Sequence, residues 1–367
     1  MQRRLERHAQ SRTSMKHPIF DVLRRYDYEQ LIFCQEESLG LRAIIAVHDT
    51  TLGPAVGGVR MLPYETEQQA IDDVLRLARG MTYKAAAAGV NHGGAKCVVL
   101  GDPKHDKSEA LFRALGRFVE RLGGRYIAGE DVGTTASDMD AMGAESDHIF
   151  ALPPTDEVAH FTAFGVVQAI HACLQQVYRS AEMRGRSVAV QGVGAVGGDV
   201  VKRLHEAGAD VVIADTDQDK VDRLLTLYPT VTAISAEEVH AQPVDVYCPC
   251  ALGAVLNTAT LPKLRCKIVC GAANNQLADP ACGDAITEQG IAYAPDYIVN
   301  AGGLIAYADT RKPGGFQRQR ALAAVERIYD TMEQVFALAQ EQAIPAYRAA
   351  DLLAEQRIAS VRQVRTL

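Results

Sequence analysis

Several signatures of other protein classes are absent from this 367-residue sequence. None of the 8 cysteines belongs to a Cys-x-x-Cys pair, and their spacings match no zinc ligand set, so we expect reduced thiols and no metal. No apolar run is long enough to cross a bilayer, and the N-terminal residues lack the layout of a secretory signal. These absences predict a cytoplasmic protein that does not contact membranes.

An excess of positive charge is also missing, because 45 acidic residues outnumber 38 basic ones and give a formal net charge of −7. Nucleic-acid binding needs a concentrated basic surface, so a small molecule is the expected partner. Segment 1–16 contains several basic residues and few apolar ones, which predicts a disordered tail. With 48% apolar residues, the remaining length favours two globular domains with real cores.

The N-terminal part of the chain alternates strand and helix patterns. The run Leu41–Val47 is apolar and β-branched, as buried strands are. Thr66 and Gln69 form a possible capping box at the start of a helix, and Gly80 is placed to end it. A second helix is expected to begin at Asp106. This alternation is typical of an α/β domain.

A glycine-rich turn, Gly192–Gly197, follows the short strand Ser187–Gln191 and opens a helix that leads to the strand Val211–Ala214. This order is a βαβ unit, the building block of a doubly wound parallel sheet. The pattern Gly-x-Gly-x-x-Gly in this context is the dinucleotide-binding fingerprint, although similar turns also occur in unrelated α/β domains.

Each position of the turn has a physical role in binding a dinucleotide. Gly192 permits the tight turn, Gly194 lets the backbone approach the pyrophosphate, and Gly197 allows close packing of helix on strand. Asp215, which follows the next strand, accepts hydrogen bonds from a ribose diol and repels a 2′-phosphate, so NAD is expected over NADP. The expected contacts of this cofactor are Gly192, Val193, Gly194, Ala195, Val196, Gly197 and Asp215.

Three charged residues of the N-terminal part stand in apolar or glycine-rich sequence. Lys84 follows Gly-Met-Thr-Tyr, Lys96 follows Gly-Gly-Ala, and Asp131 lies in Glu-Asp-Val-Gly. Lysines are usually solvated surface residues, and that alternative stays open here. If the three converge, desolvation and like charge lower a lysine pKa while the carboxylate raises it, as in a tuned catalytic site.

The segment Val90–Lys96 (VNHGGAK), with the Asp102-Pro103 that follows, resembles the signature of the Glu/Leu/Phe/Val dehydrogenases, the amino-acid dehydrogenase superfamily. The likeness extends over most of the chain and is strongest for the leucine and phenylalanine dehydrogenase branch. Further motifs that carry it are His48–Pro54, Gly129–Thr135, Cys250–Gly253, Ala273–Gln276 and Pro295–Gly303.

The resemblance implies reversible, NAD-dependent oxidative deamination of an L-amino acid to its 2-oxo acid and ammonia. In such a site Lys84 would bind the substrate carboxylate, Lys96 would be catalytic and activate water, and Asp131 would exchange protons with the amino group. Substrate contacts are further expected from Gly57, Gly58 and Asn275, and cofactor contacts from Thr162, Ala251, Asn275 and Asn300.

The side-chain pocket of this family corresponds here to Val56, Gly129, Leu304 and Tyr307. Glycine at 129 is expected to leave space for a larger ring, and Leu304 resembles the phenylalanine-type arrangement. Phenylalanine is therefore expected ahead of leucine or valine, with a leucine (branched-chain) dehydrogenase as the alternative. Tyr307 departs from the usual small residue, and it either packs, shrinks the pocket or brings a hydroxyl to the substrate.

Two other functions are weighed against the dehydrogenase. A catalytically inactive NAD-binding regulator would keep the fold, but the presence of Lys84, Lys96 and Asp131 together argues against it. A hydroxy-acid dehydrogenase would need a His-centred acid/base motif, which is not evident. An assay of NADH formation with a panel of amino acids separates these functions.

The resemblance also implies an architecture of two α/β domains with a cleft between them. Residues 17–150 would form a substrate and oligomerisation domain, and residues 151–316 a Rossmann doubly wound dinucleotide-binding domain. The Pro-containing segment Ala151–Asp156 would be the hinge or loop between them. Helices of residues 317–367 would pack back toward the first domain, and a homo-oligomer, a dimer or an octamer, is expected.

Overall fold

The computed structural model describes residues 19–150, 155–251 and 253–365. Its N-terminal part contains a five-stranded mixed sheet flanked by helices. The strands are β1 (Gln30–Glu36), β2 (Leu41–Asp49), β3 (Ala55–Leu62), β4 (Gly93–Leu100) and β5 (Tyr126–Glu130). The helices are α1 (Ile19–Arg25), α2 (Glu67–Ala87), α3 (Glu109–Glu120) and α4 (Ala136–Gly143).

The strand order of this sheet, β1-β2-β4-β3-β5, brings the segments with candidate site residues together. Strand β3 lies in the middle of a parallel trio and pairs with β4 and β5, whereas β1 and β2 are antiparallel. In this register Gly58 faces Gly129 of β5, and Val59 pairs with Cys97 of β4. Lys96 of β4 and the first residue after β5 therefore lie on either side of β3.

Helix α2 begins where the sequence predicts but ends later. The capping box of Thr66 and Gln69 is present, with Thr66 Oγ1 accepting from the Gln69 amide at 3.2 Å. The prediction that Gly80 ends the helix is wrong, because α2 continues to Ala87 and carries Lys84 in its last turn. The residues after Gly80 are largely buried, and this packing outweighs the helical cost of one glycine, about 1 kcal/mol.

Helix α3 also differs at its start. It begins at Glu109, and the N-cap is Ser108, whose Oγ accepts from the Leu111 amide at 3.1 Å. The expected start at Asp106 is wrong, because the Asp106 carboxylate instead accepts the backbone amide of Asp102 at 2.7 Å. Both aspartate and serine are good caps, so composition alone does not decide between them.

The C-terminal part contains a six-stranded, entirely parallel sheet of order β11-β10-β9-β6-β7-β8. The glycine-rich turn connects β6 to the helix that packs on it, so the predicted βαβ unit is present and the two-domain α/β fold class is confirmed. The strands are β6 (Ser187–Gln191), β7 (Asp210–Ala214), β8 (Thr232–Ala233), β9 (Val246–Pro249), β10 (Ile268–Val269) and β11 (Ala292–Tyr293).

Helices cover both faces of this sheet and extend to the C-terminus. The last of them, α13, packs against both α2 of the first sheet and α12. These helices are α5 (Thr155–Tyr178), α6 (Ala195–Glu206), α7 (Gln218–Leu227), α8 (Pro280–Glu288), α9 (Asp296–Val299), α10 (Gly302–Thr310), α11 (Arg318–Glu326), α12 (Ile328–Gln342) and α13 (Ala346–Arg365).

Within the described residues, one helix is long and apolar enough to cross a bilayer by length and composition, contrary to the sequence expectation. It is the segment Glu157–Tyr178 of α5. The helix lies in the main hydrophobic core, where Phe161, Ile170 and Leu174 are fully buried. Packing between α6, α10 and α12 accounts for its apolar character.

Two sequence expectations fall on segments without a structural description. The disordered tail expected for residues 1–16 lies outside the described residues, and so does segment 151–154 of the expected hinge.

Candidate active site

A cavity of about 440 Å³ lies between the two parts of the molecule. One wall comes from β3, β4, α2 and the end of β5. The other comes from α5, the first turn of α6, the loops after β9 and β10, and α10. The residues lining it that the sequence predicts are Val56, Gly57, Gly58, Lys84, Lys96, Asp131, Thr162, Val196, Ala251, Asn300, Leu304 and Tyr307. Lining residues that the sequence reasoning missed include Met81, Glu130, Phe150, Val158, Cys250, Asn274 and Gly303.

Lys96 and Asp131 form a buried ion pair in this cavity. Lys96 Nζ lies 2.9 Å from Asp131 Oδ1, and the Lys96 side chain is only 6% exposed. Arg60, which the sequence reasoning missed, donates from Nε to the other carboxylate oxygen at 2.7 Å. Burial raises the pKa of Asp131, but the two cations outweigh it and leave the pKa below its ordinary value. The carboxylate is therefore ionised and held from both sides.

Lys84 has a different partner from Lys96. Its Nζ donates to Asn300 Oδ1 at 2.7 Å, and this hydrogen bond runs from α2 to the end of α9 on the other wall. Burial lowers the pKa of Lys84 to about 8, an effect that nearby Lys96 reinforces and Asp296 opposes. An ammonium group has three donors, so Lys84 retains donors for an anionic ligand while it bonds to Asn300.

Glycines bring Lys96 and Asp131 close to the β3 backbone. A Cβ atom at Gly58 would lie 2.6 Å from the Asp131 Cβ and 3.2 Å from Lys96 Nζ. A Cβ at Gly57 would lie 1.7 Å from the Ala95 carbonyl oxygen. Since real side chains do not make such contacts, only glycine fits at both positions.

The glycine-rich turn has the geometry of a phosphate cradle. Gly192 has a φ of +88°, and a Cβ at Gly197 would lie 1.9 Å from the Gly192 carbonyl oxygen. A Cβ at Gly194 meets no protein atom within 4 Å, so this face of the turn is open at the start of α6. The turn therefore fits a pyrophosphate at a helix N-terminus.

Asp215 lies beside this turn, directly after β7. Its Oδ2 accepts the Val193 amide at 2.7 Å and its Oδ1 accepts the Asp217 amide at 2.9 Å. Burial raises the pKa of Asp215, but these amide donors outweigh it and leave the pKa below its ordinary value. The ionised carboxylate keeps free lone pairs for further donors such as ribose hydroxyls.

Gly129 does not leave space for a substrate ring, which corrects the sequence expectation. A Cβ at this position would lie 2.0 Å from Cζ of Phe150, whose ring fills the region. Phe150 in turn packs against Tyr307, with ring centroids 4.0 Å apart and ring planes inclined by 36°. The buried Tyr307 hydroxyl has no hydrogen-bond partner within the described chain. The cavity wall next to Gly129 is therefore formed by two aromatic rings, Phe150 of the N-terminal part and Tyr307 of α10.

Asn275 is also placed differently from the sequence expectation. It is exposed, with a φ of +52°, and its backbone amide donates to Asp296 Oδ2 at 2.5 Å. The neighbouring Asn274 lines the cavity, and its Oδ1 accepts from Asn300 Nδ2 at 2.8 Å. Both asparagines are exposed, and their sequence gives no signal for which one lines the cavity, so only the fold identifies Asn274.

Family models match almost the whole chain. Residues 29–148 match the Glu/Leu/Phe/Val dehydrogenase dimerisation domain, and residues 157–221 and 214–365 match the Glutamate/Leucine/Phenylalanine/Valine dehydrogenase model. The chain belongs to the Glu/Leu/Phe/Val dehydrogenase family. The resemblance read from its motifs is therefore confirmed, and the protein is an amino-acid dehydrogenase.

The names of individual relatives of this dehydrogenase identify enzymes for apolar amino acids. It is 48% identical to leucine dehydrogenase of Bacillus cereus over 352 residues, which cover 95% of each chain. It is 46% identical to valine dehydrogenase of Streptomyces virginiae over 341 residues, covering 91% of this chain and 95% of the relative. L-tryptophan dehydrogenase from Nostoc punctiforme superposes with a TM-score of 0.84 at 39% identity, covering 94% of this chain and 100% of that one.

Proposed function

We propose that this dehydrogenase catalyses the reversible, NAD-dependent oxidative deamination of a branched aliphatic L-amino acid. The observation that carries the proposal is the convergence of Lys84, Lys96 and Asp131 in one cavity beside the glycine-rich turn. Two ammonium groups and one carboxylate are the set that this chemistry needs. Lys84 binds the carboxylate of the substrate, and the ion pair of Lys96 and Asp131 takes part in the proton transfers.

The residues divide the reaction between them. Lys84 binds the substrate carboxylate and so orients Cα, and Asp131 takes one proton from the substrate ammonium to leave the neutral amine. Bound NAD would supply the acceptor for the hydride that leaves Cα. Lys96 polarises the water that attacks the resulting iminium carbon, and its charge stabilises the oxyanion of the carbinolamine. Asp131, 2.9 Å from Lys96, takes a proton from this water and passes it to the amino group of the carbinolamine. It then accepts the hydroxyl proton of the carbinolamine as the C–N bond breaks, which releases the oxo acid and ammonia.

NAD is the proposed cofactor because of the groups around the glycine-rich turn. The open face at Gly194 fits the pyrophosphate, and Asp215 offers an ionised carboxylate to a ribose diol. The same carboxylate would repel the 2′-phosphate of NADP. Thr162 and Asn300 line the cavity on the side where the nicotinamide would lie.

The proposed substrate follows from the apolar wall of the cavity. Val56 and Leu304 contribute aliphatic surface, and Phe150 with Tyr307 closes the region over Gly129. An aromatic substrate would compete with the Phe150 ring for the same volume. We therefore propose leucine or valine rather than phenylalanine, in line with the names of the relatives.

The experiment that tests this function measures NADH formation with leucine, valine, phenylalanine and glutamate, in wild type and Lys96→Ala. We expect turnover with the branched amino acids, and a kcat of the variant lower by about a thousandfold, the range of a lost acid/base and oxyanion group. NADH binding, measured by calorimetry, should stay within about twofold. Lys104→Ala, which removes an exposed lysine, is the matched control.

The outcomes separate the candidate functions. NADH binding without turnover of any amino acid would favour an inactive NAD-binding regulator. Equal activity of Lys96→Ala and wild type would remove the role proposed for Lys96.

A further inference from the structure

The end of helix α2 is held by a side chain from the opposite end of the sequence. Arg357 of α13 donates from Nη1 to the carbonyl oxygens of Ala85, Ala86 and Val90, at 3.2, 2.9 and 3.0 Å. Its Nη2 donates to Asn91 Oδ1 at 2.7 Å. One guanidinium group thus contacts both the last turn of α2 and the loop that leads into β4.

The acceptors of Arg357 are neutral groups. Its contacts in the described residues are carbonyl and amide oxygens, and burial lowers its pKa below the ordinary value. The carbonyl groups at the end of a helix carry partial negative charge, which compensates a cation placed there. The half-buried Arg357 guanidinium therefore binds carbonyl groups held in one backbone conformation, and not an acidic side chain.

Both segments that Arg357 contacts lead directly to the lysines of the active site. Lys84 precedes the first carbonyl acceptor by one residue, and the loop from Asn91 enters β4, which contains Lys96. Close packing transmits the position of this loop, because a Cβ at Gly94 would lie 2.1 Å from the Thr82 amide nitrogen of α2.

We propose that Arg357 is a positioning residue that fixes the separation between Lys84 and Lys96. It acts through the backbone of these two lysines and does not touch the cavity that they line. The inference rests on the proposed function, because it concerns the binding of a substrate carboxylate by Lys84. The planar guanidinium group of Arg357 reaches four acceptors at once. A lysine ammonium group at this position would reach only some of them.

The test compares Arg357→Met and Arg357→Lys with wild type in steady-state kinetics, NADH calorimetry and thermal unfolding. We expect Arg357→Met to raise KM for leucine at least tenfold and to lower kcat at least tenfold, while the Kd for NADH changes less than twofold. Arg357→Lys should recover part of both losses. Gln356→Ala, an exposed neighbour on the same helix, is the matched control.

A second measurement keeps the proposal falsifiable if Arg357→Met does not fold. Guanidinium ion at low, non-denaturing concentration should increase kcat/KM of Arg357→Ala several-fold over sodium chloride of equal ionic strength. Kinetic constants within twofold of wild type, with only a lower Tm, would overturn the proposal and leave Arg357 a stabilising residue. A wild-type protein without amino-acid turnover would instead refute the proposed function, so the two failures are distinguishable.

Discussion

At the scale of single residues, the two active-site lysines differ in what compensates their charge. Lys96 is paired with a carboxylate, whereas the hydrogen-bond partner of Lys84 is the neutral amide of Asn300. Desolvation is therefore the largest influence on Lys84 and brings its pKa to about 8. Lys84 therefore loses its charge as the pH rises through about 8.

This pKa predicts how carboxylate binding depends on pH. Below about pH 8 Lys84 is charged and binds a carboxylate, and above it the charge is lost as the proton leaves. We expect the affinity for isocaproate, measured by calorimetry in the presence of NADH, to fall about tenfold for each pH unit above this value. Isocaproate has no amino group, so its own charge stays constant over the range.

The variant Lys84→Arg is the control for this prediction. Arginine stays protonated throughout, so its binding curve should be flat over the alkaline range. A wild-type curve that is equally flat would contradict the assignment of the pKa to Lys84.

The aromatic pair over Gly129 predicts opposite effects of two substitutions. Phe150→Ala should raise kcat/KM for phenylalanine relative to leucine by about tenfold or more, because it empties the volume a substrate ring needs. Gly129→Ala should destabilise the protein by about 1–3 kcal/mol through overpacking against Phe150. Amino-acid kinetics and urea unfolding measure the two effects.

The double variant Gly129→Ala/Phe150→Ala checks the common cause. It should unfold at a higher urea concentration than Gly129→Ala alone, since the added methyl group then meets no ring. A substrate ratio that Phe150→Ala leaves unchanged would show that this ring does not limit the pocket.

Motif residues of the site were predictable from sequence, but residues that act through space were not. Lys84, Lys96 and Asp131 stand in motifs that resemble a family and meet in one cavity as expected. Arg60 and Phe150 belong to no such motif, and they reach the site only because β3 and β5 are neighbours in the folded sheet. Their contribution is a property of tertiary packing that a linear pattern does not contain.

At the scale of elements, helix α2 runs from an exposed capping box to the active site. Its 21 residues run from the capping box at Thr66 to the turn that carries Lys84. Gly80 lies within this helix and is exposed, and a Cβ added to it would meet no neighbouring atom within 4 Å. The helix therefore contains one residue of poor helical propensity that its surroundings do not require.

This observation predicts that Gly80→Ala stabilises the protein. We expect the free energy of unfolding to rise by about 0.5–1 kcal/mol, because alanine loses less backbone entropy in a helix. The measurement is the midpoint of urea unfolding. Gly94→Ala is the opposite control, since its added Cβ would lie 2.1 Å from the Thr82 amide, and an unchanged midpoint for Gly80→Ala would contradict the prediction.

The start of helix α2 was easier to predict than its end. The capping box of α2 depends on two side chains three residues apart, which the sequence displays directly. The end of α2 depends on burial of residues such as Tyr83 and Ala86 against β4 and α13, which only the fold supplies. The same burial places the lysine of this segment on a helix and not in a loop.

At the scale of the whole molecule, the match of residues 29–148 to a dimerisation domain favours self-association. Strand β1 lies at the edge of the first sheet, and Phe33 on it is 58% exposed. An open strand edge with an exposed aromatic ring is a surface suited to another copy of the chain.

We expect the protein in solution to have a mass that is a multiple of 39.7 kDa, measured by light scattering after size exclusion. Phe33→Lys should lower that mass by a factor of two or more. Leu227→Lys, at a similarly exposed residue of the other sheet's helices, should leave it unchanged. A wild-type monomer would contradict the prediction.

The hydrogen bond from Lys84 to Asn300 joins the two halves of the enzyme across their shared cavity. Such a bond to a charged donor contributes about 1.5–3 kcal/mol after allowance for the water that replaces it when the halves separate. This hydrogen bond therefore makes a modest contribution to holding the two halves together. A substrate carboxylate would offer the same ammonium a second, charged acceptor beside Asn300, so bound substrate would add its own contact to the one that already joins the two halves.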